Sequence, residues 1–200
     1  MSAELMVDRY RIKPLDTETW DAFASLVEKH NGVWGGCWCV YFHCYPDPKE
    51  ERRALGNDGF KRRLVEQGRA HAALVFEGDD AIAWAEYGTV EELPNIYHRK
   101  EWEKGLVLKP DFRITCLFVD RDHRRKGLAE VAVLGALALI AAAGGGVVES
   151  YPHDLRPDKK MSASFLYSAT RTLYERLGFD YQRPKGQSNC VMTKVVAPSA

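Results

Sequence analysis

An excess of charge is the first thing this sequence lacks: Lys+Arg and Asp+Glu number 28 each in 200 residues, so the formal charge is zero. A neutral chain has no global field to draw nucleic acid or an acidic membrane, so neither is expected as a partner, and any pull on anions is local. Long apolar runs are lacking too. The longest, Val131 to Ala143, falls short of the roughly 20 residues that span a bilayer and reads as a buried helix instead. The N-terminal stretch "MSAELMVDRYRIKPL" carries acids at Glu4 and Asp8 and no apolar core of signal-peptide length, so secretion is not expected. The five cysteines, Cys37, Cys39, Cys44, Cys116 and Cys190, are odd in number and unevenly spaced in a chain too large to need a disulfide framework. Reduced thiols and a cytoplasmic location are the expectation. GxxxxGK[ST] and GxGxxG are both missing, which excludes the nucleotide P-loop and the dinucleotide fingerprint. There is no internal repeat and no low-complexity segment. With 46% hydrophobic residues, one core is enough, and residues 1–200 read as a single domain.

What is present is an alternation of strands and helices. "RYRIKPL" (Arg9 to Leu15) predicts a first strand, and Thr17 is placed to cap a helix through "ETWDAFASLVEKHNG", where Trp20, Phe23, Leu26 and Val27 keep helical spacing. "GVWGGCWCVYFHCYPDP" reads as a rigid aromatic loop, and Lys49 to Gln67 as one or two short charged helices. A β-hairpin is expected near Ala70 to Glu77 and Ala81 to Tyr87, with a short helix over Tyr97 to Lys104. "FRITCLFV" (Phe112 to Val119) is apolar on both faces, as a central covered strand should be. A helix from Gly127 to Ala143 follows, with Glu130 its only charged side chain, so it must be enclosed nearly all round. "VVESY" (Val147 to Tyr151) completes a βαβ unit, whose two strands should run parallel. After a polar loop from Pro152 to Ser162, a helix through "SATRTLYERLG" precedes a closing antiparallel hairpin made by "FDYQRP" and "CVMTKVV".

One stretch runs against helix physics. "HRRKGLAE", His123 to Glu130, gathers cations at a helix mouth, where the unspent N–H groups and the positive end of the dipole favour anions. Asp120 and Asp122 lie upstream and can neutralise Arg121 or His123, but Arg124, Arg125 and Lys126 have no acid among them. A phosphate ligand supplies what is missing.

The segment Arg124-Arg125-Lys126-Gly127-Leu128-Ala129 resembles the R/Q-x-x-G-x-G/A motif of the GCN5-related N-acetyltransferase (GNAT) superfamily, and "LYERLGF" (Leu173 to Phe179) resembles that family's L-Y-x-x-x-G-F segment. The two motifs bracket Phe112 to Phe179. The resemblance implies an α/β acyl-CoA N-acyltransferase fold, with a mixed central sheet of about six or seven strands and helices on both faces. It also implies acetyl-CoA as co-substrate, a cofactor core over about residues 112–179, and an acceptor-side wall over about residues 30–67. Carried over residue by residue, the backbone of Leu117, Phe118 and Val119 pairs with the pantetheine arm as an added strand does. Amides from Arg125 through Glu130 take the pyrophosphate. Gly127 admits the ligand close to the backbone, Ala129 keeps the next turn small, and Arg124, Arg125 and Lys126 add charge-assisted contacts.

By the same resemblance an amine attacks the thioester directly, and Tyr174 is the acid that protonates the departing thiolate. Two carboxylates are candidate bases: Glu149, towards the ligand end of its strand, and Glu86, on the strand face expected to hold Ile82 and Trp84. The strand before the motif, "ITCLFV", offers the family's usual carboxylate nowhere, which leaves a water relay open. Trp34, Trp38, Tyr41 and His43 form an aromatic acceptor pocket suited to an apolar or cationic group. Cys37, Cys39, His43 and Cys44 do not have the spacing of two separated ligand pairs, so no metal is expected. The function expected is acetyl transfer to a small-molecule amine, with a homodimer left open. Protein or peptide acetylation, a non-catalytic CoA-responsive module and a zinc-dependent interaction module are the alternatives.

Overall fold

The computed structural model describes residues 5–154 and 167–199, so Glu4 and most of the loop expected from Pro152 to Ser162 lie outside the described residues. The strands are β1 (Leu5–Val7), β2 (Tyr10–Pro14), β3 (His71–Glu77), β4 (Asp80–Thr89), β5 (Phe112–Val119), β6 (Gly146–Ser150), β7 (Asp180–Lys185) and β8 (Asn189–Val196). The helices are α1 (Trp20–Lys29), α2 (Lys49–Glu66), α3 (Arg99–Lys104), α4 (Leu128–Ala142) and α5 (Arg171–Arg176). The strands join one sheet of eight, in the order β1-β2-β3-β4-β5-β6-β8-β7. That exceeds the expected six or seven because the N-terminal segment doubles back on itself, Leu5 pairing with Ile12 and Val7 with Tyr10. Of these eight strands β5 and β6 alone pair in parallel, as a βαβ unit requires. Among the described residues no helix is long and apolar enough to cross a membrane.

Each face of the sheet is covered. On one side α4 crosses β3, β4 and β5, and its Leu128, Val131, Ala132, Ala136 and Ile140 share a core with Ile12, Val75, Leu117, Tyr174 and Phe179. Each fully buried branched side chain there contributes about 1.5–3 kcal/mol. Gly135 lets the helix press close, since a Cβ there would stand 2.8 Å from Ile12 Cγ2. On the other side α1, α2 and the aromatic loop pack Phe23, Val27, Phe42, Phe60 and Leu64 against Leu74, Trp84, Cys116 and Phe118.

Local details depart from the sequence reading for identifiable reasons. The start of α1 is organised by Asp16, not Thr17: the Asp16 carboxylate accepts from the amides of Glu18 and Thr19 at 2.9 and 3.0 Å, and the Thr19 hydroxyl donates to the Pro14 carbonyl at 2.7 Å. Helix α2 is broken at Gly56 (φ 71, ψ 170). The break lets the Asn57 side-chain amide donate to the Gly36 carbonyl at 2.7 Å, tying the helix to the aromatic loop.

Two β-bulges matter more. Between β3 and β4 the register shifts so that Ile82 is an extra residue, and Ile82 packs with the α4 core while Trp84 packs with the other. Glu86 therefore shares its face with Trp84 but not with Ile82. Between β4 and β5, Glu86 pairs with Cys116 but Tyr87 with Ile114, which makes Thr115 the extra residue. Ile114 consequently faces α4, whereas Cys116 and Phe118 face the aromatic loop.

Candidate active site

β5 and β6 pair only through Phe112–Ile114 and Val148–Ser150 and then part. Beyond β5 the chain makes a short 3-10 turn, Arg121–His123, before Gly127 and α4. Asp120, 3% exposed, accepts from Lys29 at 2.7 Å, from His30 at 3.2 Å and from the Asp122 amide at 3.1 Å. Burial alone would raise its carboxyl; these partners outweigh it and hold it at about 2. Lys29 also meets Asp122 at 2.8 Å. The upstream acids are thus turned towards α1, and Arg124, Arg125 and Lys126 have no acidic partner among the described residues.

The turn itself is strained in a useful way. Arg125 (φ 64) and Gly127 (φ 76) both take left-handed backbone, and at Arg125 that costs roughly 1–2 kcal/mol. Left-handed residues at alternate positions turn successive amides into a concave nest for an anion. The amides of Arg125 through Ala129 donate to no protein acceptor among the described residues, while that of Glu130 is taken by the Gly127 carbonyl at 2.9 Å. The donor set therefore stops one residue short of the Glu130 expected from sequence. A Cβ placed on Gly127 would meet nothing within 4 Å, so the space before the nest is open. Unspent amides, uncompensated cations and open space fit a diphosphate.

The nest opens into a groove of about 480 Å³. Leu117, Phe118, Val119, Arg124, Arg125, Gly127, Leu128, Ala129 and Glu130 line it, facing Trp34, Thr170, Leu173 and Arg176. Lys126 does not line it, and Glu130 is paired with Arg176 at 2.8 Å. The β5 backbone is less free than the sequence suggests. The Leu117 amide donates to the Tyr167 carbonyl at 2.6 Å on the open side, and the Asp120 amide donates to Ile82 on β4. Strand amides alternate in direction, so that of Phe118 points to β4 and only its side chain can serve the groove.

Tyr174 is wholly enclosed, and its hydroxyl makes no hydrogen bond among the described residues. It packs edge-on to Phe179, and burial, eased by nearby Ser150 and reinforced by Cys116, pushes its pKa up. It lines neither the groove nor the cavity described next.

That cavity, about 320 Å³, lies beside the groove with Trp34 as a shared wall; Cys37, Cys39, Tyr41, Phe42, Tyr97, Cys116 and Tyr167 complete it. Tyr41 and Tyr97 stack with centroids 4.6 Å apart, and Tyr167 meets Trp34 edge-on. Of the four expected aromatic-wall residues the structure brings Trp34 and Tyr41 here. Trp38 instead stacks on Trp20, centroids 6.1 Å apart, because its left-handed backbone (φ 51) turns it into the core. Phe42, Tyr97 and Tyr167 were missed, and only Phe42 belonged to the segment expected as the acceptor-side wall.

His43 does not line the cavity either. Its Nδ1 donates to the Glu92 carbonyl at 2.9 Å, and burial and the Lys61 charge push its pKa down, so the neutral ring presents Nε2 as an acceptor. Lys61 Nζ donates to that Nε2 at 3.1 Å, to Glu86 Oε1 at 2.6 Å and to the Cys39 carbonyl at 3.4 Å. The extra Thr115 hydroxyl donates to Glu86 Oε2 at 2.8 Å. Burial would raise the Glu86 carboxyl, but the Lys61 ammonium beside it overcomes that and holds it at about 2. Glu86 is therefore the anion of a satisfied buried ion pair that fastens α2 and the aromatic loop to β4. A proton acceptor at neutral pH it is not.

Glu149 lines neither chamber. It accepts from Trp102 Nε1 in a small satellite cluster, and Arg113 lies over that indole, 4.5 Å from its ring centroid. Burial pushes its carboxyl up. Among the described residues no group of His, Cys, Asp and Glu could hold a metal ion; the Cys44 thiol donates to the Val40 carbonyl at 3.0 Å.

No protein-family model matches the sequence, and no curated protein matches it significantly. Solved structures do. A protein assigned to the GNAT acetyltransferases, from Desulfovibrio desulfuricans, superposes with TM-score 0.54 at 15% identity, over 94% of this chain and 99% of its own. A ribosomal-protein-S5-alanine acetyltransferase from Vibrio fischeri superposes with TM-score 0.51 at 12% identity, over 98% and 97%. Likeness at such low identity speaks to architecture, and over nearly its whole length this chain has the fold of the GNAT acetyltransferases.

Proposed function

We propose that this chain is an acetyl-CoA-dependent N-acyltransferase of the GNAT superfamily that acetylates the amine of a small molecule with an aromatic or apolar body. One observation carries the reading: a groove headed by unspent amides and uncompensated cations shares the Trp34 wall with an aromatic cavity. A diphosphate carrier in the first and an acceptor in the second meet at that wall.

The co-substrate supplies an activated thioester; the chain supplies placement and one proton. The nest and the Arg124 and Arg125 guanidiniums hold the diphosphate. The Val119 amide, two residues on from Leu117, lies on the open edge of β5, where an extended arm can pair. The aromatic cavity orients the acceptor and strips its water. An ammonium entering an apolar cavity is destabilised, which lowers the acceptor's own pKa and lets its proton leave to water. That removes the need for a carboxylate base, in keeping with the commitments of Glu86 and Glu149 to other partners. The resemblance of Leu173–Phe179 makes Tyr174 the proton donor to the departing thiolate, and its unpartnered hydroxyl is kept protonated by burial. Because it lines neither chamber, this role requires that co-substrate binding open a path to it, and the proton that the nitrogen sheds on forming the amide then restores the phenol.

The test is acetyl transfer from acetyl-CoA to a panel of arylalkyl and alkyl amines, read by mass spectrometry. Tyr174→Phe should lower kcat at least tenfold with the Kd for CoA unchanged. Transfer to peptides but to no small amine would replace the acceptor class; CoA binding with no transfer at all would leave a CoA-responsive binding module.

A further inference from the structure

The aromatic cavity holds a feature that acyl transfer does not use. Cys39 and Cys116 both line it, and their Sγ atoms stand 3.0 Å apart. Closure by only ~1 Å would bring them to the ~2.05 Å of a sulfur–sulfur bond. The two lie 77 positions apart in the chain, and separate backbone devices deliver them. The bulge at Thr115 turns Cys116 towards the loop, and left-handed backbone at Trp38 and Cys39 (φ 51 and 50) turns Cys39 inward. The other three thiols are placed differently: Cys44 donates to the Val40 carbonyl, Cys190 lies in the α4-side core, and Cys37 lines the cavity partly exposed. Both paired thiols are 2% exposed, but a small reagent that enters the cavity meets them on its wall.

We propose that Cys39 and Cys116 form a reversible disulfide inside this cavity, with a small peroxide as oxidant. One thiol attacks the O–O bond, giving a sulfenic acid and a first water. The other thiol attacks that sulfur, forming the S–S bond and releasing a second water. The two thiols give up two protons and two electrons, and one hydrogen peroxide becomes two waters. The hydrogen bond with Cys116 and burial both push the Cys39 thiol up, so the reaction is slow at neutral pH and accelerates in alkali. The bond fixes the aromatic loop to β5, joining the acceptor side of the cavity to the strand that leads to the nest. Its effect on turnover rests on the acyl-transfer reading above; the bond itself does not.

The full chain is oxidised with a small excess of hydrogen peroxide, denatured, and assayed for free thiols, with non-reducing peptide mapping of the product. Five free thiols should fall to three, with a single Cys39–Cys116 linked peptide pair. The thermal midpoint should rise by roughly 5–10 °C and return on reduction. Cys37→Ser and Cys44→Ser should still lose two thiols. Retention of all five thiols, a Cys37–Cys39 link, or only higher oxidation of single cysteines would overturn the proposal, and the wild-type map decides even if the variants fold poorly. In the same samples CoA affinity should be unchanged while the acceptor KM rises. Absence of transfer from reduced and oxidised protein alike would refute the acyl-transfer reading and leave the thiol count standing.

Discussion

The two chambers on either side of Trp34 are built by opposite means. The groove is made of main chain: one continuous segment from Leu117 to Glu130 supplies its floor, its amides and its cations. The cavity is made of side chains that arrive from the aromatic loop, the segment before α3, the middle of β5 and the approach to α5. Local sequence specifies a contiguous nest because the conformation and the donors sit within a few residues of one another. A wall assembled from four distant segments depends on how the whole sheet is covered.

The contrast can be broken at its supports, and the largest effect should come from behind the cavity. Glu86→Ala strands the Lys61 ammonium in the interior and should cost about 3–5 kcal/mol in urea denaturation. A loss below ~1 kcal/mol would show that the aromatic wall does not lean on this ion pair. Acid should act in the same direction. The folded chain holds this carboxyl at about 2, against an ordinary value of 4.5. Its contribution is complete above the higher value and drains away as pH falls towards the lower, a loss absent from Glu86→Gln.

The groove should respond next. Replacing Arg124, Arg125 and Lys126 together by alanine should weaken CoA binding by roughly 10–100-fold and flatten its salt dependence, measured calorimetrically at two ionic strengths. Unchanged affinity would mean that the amides alone hold the anion. Gly127→Ala is a finer probe. Its methyl meets no protein atom, so stability should drop only by the roughly 1–2 kcal/mol of left-handed alanine, while CoA affinity falls because the methyl enters the nest. Smallest of all, Tyr41→Ala should raise the acceptor KM by about 2–10-fold with CoA affinity intact, since it removes one stacked ring. Trp38→Phe, in the core behind, should leave that KM within twofold.

Legibility in the sequence follows the same divide. β5, the turn, α4 and the parallel β6 were readable because periodicity, apolar content and the misplaced cations agree over one stretch. Nine of the ten residues assigned to cofactor contact line one groove. Loop residues have no periodicity to say which way they face, so Trp38 and His43 were set in the acceptor wall when left-handed backbone and a carbonyl partner turn them elsewhere. Glu86 was recognised as an odd carboxylate on an apolar strand. What the sequence could not show was Lys61, 25 residues away on α2, because a partner for a buried charge is chosen by packing across layers. A strand acid amid alanines does signal that some cation must come to it.

The extra residue in β5 has the reach of a reading-frame change. With Thr115 present, the even-numbered positions of the strand face α4 before it (Phe112, Ile114) and the aromatic loop after it (Cys116, Phe118). Deleting that one position would invert everything downstream, sending the benzyl ring of Phe118 towards α4 and the isobutyl group of Leu117 towards the indoles. The polypeptide would keep its composition and its strand and lose both chambers at once.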